Sequence, residues 1–140
     1  MNAMSRYRAS ACGLILAAAA AAAMACGNGT QLTELQRVRS GMVEIVLLSP
    51  SDALRHGKDT FFIELRSTEG GALIDGGNMR VQAGMMMSGV PMFGTVDVKR
   101  TDVPGRYEAN ADLSMAGRWR ITVEWDGPPQ NSVSFSGSVL

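Results

Sequence analysis

The chain is 140 residues long, 46% hydrophobic and 19% charged, and its 13 basic residues balance its 13 acidic ones. That length holds one ordinary domain, and the even charge excludes a strongly basic nucleic-acid binder and an acidic disordered tail. One histidine and two cysteines argue against a Cys/His zinc site, a multi-disulfide scaffold and a Ser-His-Asp centre.

Residues 1–25 read as a signal peptide. Arg6 and Arg8 form a basic start, Gly13 to Leu16 and the alanine run Ala17 to Ala23 form an apolar segment, and Ala23-Met24-Ala25 places small residues before Cys26. The apolar segment is short and alanine-rich beside the roughly 20 strongly apolar residues a bilayer span needs. A small residue directly before the first cysteine resembles a lipobox, with Ala23 where leucine is usual. The resemblance implies a thioether to diacylglycerol at Cys26 and a mature protein held in membrane lipid by its acyl chains. Simple cleavage after Ala25, which would release a soluble protein with a free thiol, is the alternative. Gly27 follows Cys26 with no aspartate there, so the sequence leaves inner and outer membrane open. Cys12 falls in the removed segment, so the mature chain has no intramolecular disulfide; without Arg6 and Arg8 it has 11 basic and 13 acidic residues, a net charge of −2.

Residues 26–40 are expected to be the lipidated cysteine and a polar tether, with a turn of helix compatible with Leu32 to Val38. Residues 41–140 are expected to form one domain. From Gly41 onward the apolar residues alternate with a period of two, the mark of half-buried strands. Val43, Ile45 and Leu47 begin the series. Phe61, Ile63 and Leu65 follow, then Met79, Val81 and Ala83, then Val96 and Val98, then Tyr107, Ala109 and Ala111. Trp119, Ile121, Val123 and Trp125, and finally Val133, Phe135 and Val139, complete it. Turn signals separate these runs, among them Glu69-Gly70-Gly71, Asp75-Gly76-Gly77-Asn78 and Pro104-Gly105. About seven short strands, each with one apolar face, bury those faces by stacking two sheets about 10 Å apart. The predicted fold is all-β, an immunoglobulin-like sandwich of about seven antiparallel strands, with the strand carrying Trp119 and Trp125 at its centre.

Several segments of this domain fit a known pattern. Gly57-Lys58-Asp59 leads into Phe61-Phe62-Ile63-Glu64-Leu65; a hairpin region runs from Gly71 to Val81; a methionine-containing stretch runs from Met85 to Met92. Pro104-Gly105-Arg106-Tyr107 supplies a glycine-x-tyrosine motif, and Ala116-Gly117-Arg118-Trp119 opens the last matching strand. In these features the chain resembles the YtkA-like domain family, extracytoplasmic β-sandwiches related to FixH-type proteins. The resemblance implies a membrane-attached or secreted accessory protein without enzymatic activity, of a kind found beside heavy-metal efflux or terminal-oxidase assembly proteins. These are the expected protein partners; no nucleic acid is expected.

The concentrated chemical feature is methionine: Met85, Met86, Met87 and Met92 fall within eight residues. Thioethers are soft, neutral donors that suit Cu(I) and serve zinc, calcium or magnesium poorly. Three of them, or two with His56 from the loop before a strand, compose a plausible Cu(I) site. Packing is the ordinary use of the same residues. If the alternation of Met79, Val81 and Ala83 continues, Met85 and Met87 point inward and only Met86 faces solvent, unless Gly84 marks a bulge that resets the parity. Gly89 and Pro91 suggest that the strand ends before Met92. Arg118, Arg120 and Glu124 lie opposite the tryptophans, on an interaction surface or an ordinary outer face. The serines from Ser132 to Ser138 have no partner histidine to make one a nucleophile. The sequence thus predicts a membrane-anchored domain with a Cu(I) site at Met85, Met86, Met87, Met92 and His56. The alternative is a protein-interaction module with no metal site.

Overall fold

A computed structural model describes residues 29–127 and 131–140. The signal peptide and Cys26 lie outside the described residues. Eight antiparallel strands make up the fold: β1 (Thr33–Ser40), β2 (Val43–Ser49), β3 (Gly57–Ser67), β4 (Met79–Met87), β5 (Val90–Arg100), β6 (Arg106–Leu113), β7 (Gly117–Trp125) and β8 (Asn131–Val139). They form one continuous ladder in the order β1-β2-β3-β6-β5-β4-β7-β8, folded into two layers over a shared core. The all-β, antiparallel expectation holds, with one strand more than the sequence suggested. The extra strand is β1, in the stretch read as a spacer. Only Leu35 and Val38 of β1 pack on the core, so it lacks the apolar alternation that marks the others. Charge secures it instead: Arg37 bonds Glu34 at 2.8 Å and Glu44 of β2 at 2.6 Å, and Arg39 bonds Glu44 at 3.0 Å. These arginines hold the Glu34 and Glu44 carboxyls below the usual carboxylate range.

Strand β5 joins the two layers. Its first half, through Gly94, pairs with β4, and its second half, from Thr95, pairs with β6. Glycine suits the crossing, because a Cβ on Gly94 would stand 2.6 Å from Leu113 Cδ2, 3.1 Å from the Asp112 carbonyl oxygen and 3.3 Å from the Trp119 ring. Beneath it lies the core. Trp119 and Trp125 of β7 are buried against Phe61, Ile63 and Leu65 of β3, Tyr107 of β6 and Val81 of β4. The Trp119 Nε1–H donates to the Met115 carbonyl at 3.0 Å, which satisfies the polar edge of a ring that buries on the order of 200 Å².

Two polar devices close the end of the sandwich away from the β4–β5 turn. The Tyr107 hydroxyl accepts from the Gly76 N–H and donates to the Gly77 carbonyl, each at 3.0 Å, so the Asp75–Asn78 turn is fastened to β6. Burial raises the Tyr107 pKa above its usual value. Glu64 of β3 is wholly buried yet sits on the outer face, directly opposite Arg106 in register. Arg106 bonds it at 2.7 Å from Nε, and Arg66 bonds its other oxygen at 2.7 Å from Nε. On the same face Val46 and Leu48 share a recess with Thr30 and Leu32, which explains why β2 is apolar on both sides.

Candidate functional site

The methionine segment is a β-hairpin that projects past the core. The β4–β5 register runs Ala83↔Gly94, Gly84↔Phe93, Met85↔Met92, Met86↔Pro91 and Met87↔Val90. A two-residue turn at Ser88-Gly89 closes it, with positive φ at both residues (48° and 81°), as a type I′ turn requires. The ladder passes Gly84 without a slip, so no bulge resets the parity. The strand of Met85 to Met87 ends before Met92, as Gly89 and Pro91 suggested, but a new strand starts at Val90, so Met92 lies inside β5. Pro91 is tolerated there because this half of β5 has β4 as its only ladder partner, so the missing N–H leaves no bond unmade.

Directly opposed residues of an antiparallel pair share a face. Met85 and Met92 therefore lie side by side on the face that Ala83 presents to the core, and Met87 continues that face toward the turn. Met86 is on the other side. The four methionines do not form one group: three share the inner face, and Met86, 68% exposed, belongs to the outer face. Burial falls along the inner face. Ala83 is buried, Met85 is half-buried and packs on the core, and Met87 is about half exposed (49%). Met85 Cε lies 3.0 Å from where a Cβ of Gly117 would stand, so the absence of a side chain at Gly117 makes room for it. Met115, two residues earlier, also packs on the core.

Cross-strand neighbours of this kind have Cβ atoms about 5 Å apart, with diagonal ones about 7–8 Å apart. Met85 and Met92 form the direct pair; Met87 is diagonal to Met92. Each side chain has three rotatable bonds, enough for three thioether sulfurs to turn toward one soft cation. Among the described residues no group of three His, Cys, Asp or Glu side chains is arranged to hold a metal, so the donors present here are soft ones.

His56 stands elsewhere. Its backbone N–H donates to the Leu140 carbonyl at 2.8 Å and its Nδ1 lies 2.9 Å from the same oxygen. A main-chain oxygen only accepts, so Nδ1 carries the proton in that bond. Along the sheet, β4 is followed by β7, β8 and then Leu54, which bridges to Val139. On its other side His56 precedes β3, and β6 lies between β3 and β5, so by either route at least one strand stands between His56's segment and the hairpin. His56 and the methionines share one end of the sandwich but not one strand pair.

The outer face of the hairpin holds what sequence reasoning missed. Phe93 is 80% exposed, and its ring lies 3.4 Å from where a Gly84 Cβ would be. Together with Met86 and Pro91 it forms one wall of a recess of about 640 Å³ whose opposite wall is Arg118, Arg120, Thr122 and Ser136. The usable signal was Ser88-Gly89, a hairpin turn that sends Val90 to Phe93 back along β4. Glu124, grouped with the two arginines by sequence, is engaged by Arg80 at 3.5 Å and takes no part.

A YtkA-like family model matches residues 38–124. No curated protein matches the chain. Among solved structures it is similar to FetP of uropathogenic Escherichia coli, as isolated, at 13% identity and a TM-score of 0.47 over 79% of this chain and 97% of that one. A copper-bound variant of the same FetP gives 11% identity and a TM-score of 0.46 over 77% and 97%. A DUF4426 family protein from Pseudomonas aeruginosa gives 14% identity and a TM-score of 0.47 over 74% and 92%.

Proposed function

The chain belongs to the YtkA-like family, and on that premise we propose a non-enzymatic extracytoplasmic protein, held to a membrane through an acylated Cys26, that carries Cu(I) on the inner face of the β4–β5 hairpin. Met85, Met87 and Met92 are the ligands; Met86 is not. The observation that carries this is the register Met85↔Met92, which sets two thioethers side by side with a third on the same face. The donor set fits the ion: neutral sulfur ligands satisfy a soft monovalent cation and discriminate against hard divalent ones. Being thioethers, they also stay available outside the cytoplasm, where thiols are lost to disulfides. The signal-like start of the chain and the position of Cys26 support the location.

Competition of the purified protein against a chromophoric Cu(I) chelator under reducing conditions tests the site. Simultaneous Met85→Leu, Met87→Leu and Met92→Leu substitution should abolish measurable competition; equal binding by both proteins would remove Cu(I) from the account. For the anchor, cells fed radiolabelled palmitate should label the wild type and not Cys26→Ser. An unlabelled wild type would make the protein a soluble secreted one.

A further inference from the structure

The outer face of the same hairpin carries a second site, and it does not rest on the Cu(I) assignment. The recess there is lined by Met86, Pro91 and Phe93 on one wall and by Arg118, Arg120 and Thr122 on the other, with Met85 and Met92 also bordering it. Gly84, directly across from both Phe93 and Arg120 in the ladder, has no side chain to fill the floor between them. No carboxylate lines the recess. Among the described residues neither the Arg118 nor the Arg120 guanidinium has a hydrogen bond or ion pair, whereas Arg37, Arg39, Arg55, Arg66, Arg80, Arg100 and Arg106 are each engaged by an acid. A mature chain of net negative charge thus keeps two uncompensated cations beside an exposed phenylalanine and methionine.

We infer that this recess docks an extended acidic segment of another protein, with an aromatic or large aliphatic residue seated between Phe93 and Met86 and carboxylates on Arg118 and Arg120. Charge complementarity selects the acid, since two free guanidiniums match carboxylates in fork geometry, and exposed aromatic and arginine side chains are the usual anchors of an interface. A bilayer is the poorer fit. The recess is concave, and Thr30, near the first described residue, lies beside Val46 and Leu48 on the outer face of the other layer, the far side of the sandwich.

Selection of the purified protein against a displayed library of random twelve-residue peptides tests this. The enriched sequences should combine aspartate or glutamate with an aromatic or large aliphatic residue. Their affinity should fall at least tenfold with Arg118→Glu plus Arg120→Glu, fall at least tenfold with Phe93→Ser, and weaken with added salt. The three positions are exposed, so the variants should melt like wild type and keep its Cu(I) affinity, which separates failure here from failure of the metal site. Enriched peptides that bind the variants equally, or no such enrichment, would overturn the assignment. Two other results would also overturn it: co-sedimentation with phosphatidylglycerol vesicles that the double charge reversal abolishes, which gives the recess to lipid, and a wild-type dimer that it dissociates, which gives the recess to a second copy.

Discussion

The two halves of β4 obey one rule and reach opposite ends. Met79, Val81 and Ala83 are 8%, 6% and 4% exposed, flanked on the same face by Trp125, Val123 and Ile121, their partners in β7, and covered by the core residues of the other layer. Met85 and Met87 hold the same parity, yet Met85 is half-buried and Met87 half exposed. Nothing in the alternation changes at Gly84. The opposing layer runs out instead: β3 begins at Gly57, opposite Leu113, the last residue of β6, and Leu113 sits beside the Gly94 crossing, so the hairpin extends past both strands. The same residue type is core filler at position 79 and an available thioether at position 87, four turns of the pleat later. Period-two patterning states which face a side chain takes; the extent of the other layer states whether that face is covered.

The sharpest way to break this contrast is through the covered half. Trp119→Ala should cost about 3–5 kcal/mol, as a large truncation in a closed core does, whereas Met87→Ala should stay within about 0.5 kcal/mol of wild type. Urea denaturation of both variants checks it, and similar losses would show that the hairpin is as buried as the core. The crossing comes next. Gly94→Val must push Leu113 and the Trp119 ring aside, at a cost of about 1–3 kcal/mol for overpacking, read in the same titration. Met85→Ala, at the border between the halves, should cost about 1–2 kcal/mol, short of a full core methionine.

Acid sharpens the contrast further. Glu34 is held low by the Arg37 hydrogen bond, Glu44 by its bonds to Arg39 and Arg37, and Asp75 by the Gly77 N–H and then Arg100. Carboxyls with depressed native pKa values stabilise the fold fully above the ordinary carboxylate range, and that contribution is lost as pH falls through it. Glu34 and Asp75 are solvent-exposed and Glu44 is half-buried, so the loss is modest, and melting temperature against pH should show it beginning in the ordinary carboxylate range and continuing below it. Thioethers bind no proton there. Cu(I) affinity, referred to an internal chelator standard, should therefore stay flat through the imidazole range, roughly pH 5 to 8. A decline across that range would bring His56 into the site.

Seven of the eight strands were legible because each puts apolar side chains on one face of a two-sided ladder. Strand β1 was not, because what fixes it is a set of ion pairs to Glu44 on its neighbour, and charges in sequence carry no register until the neighbour is placed. The inward parity of Met85 and Met87 was legible for the same reason that the core was. The position of Met92 was hidden by two residues, Gly89 and Pro91, that usually end strands. Here the first forms half of a type I′ turn and the second lies where β5 has a single neighbour. The outer recess was beyond reach, since it depends on Phe93 crossing Gly84 and on two arginines left without acids, neither of which has a local signature.

The central claim is that parity, not abundance, selects the sulfurs. Cu(I) competition with Met92→Leu and with Met86→Leu measures it directly, because both remove one thioether from the same hairpin and differ only in face. Met92→Leu should lose at least about tenfold in affinity, equal to about 1.4 kcal/mol, and Met86→Leu should bind like wild type. Equal losses, or a larger loss at Met86, would contradict it.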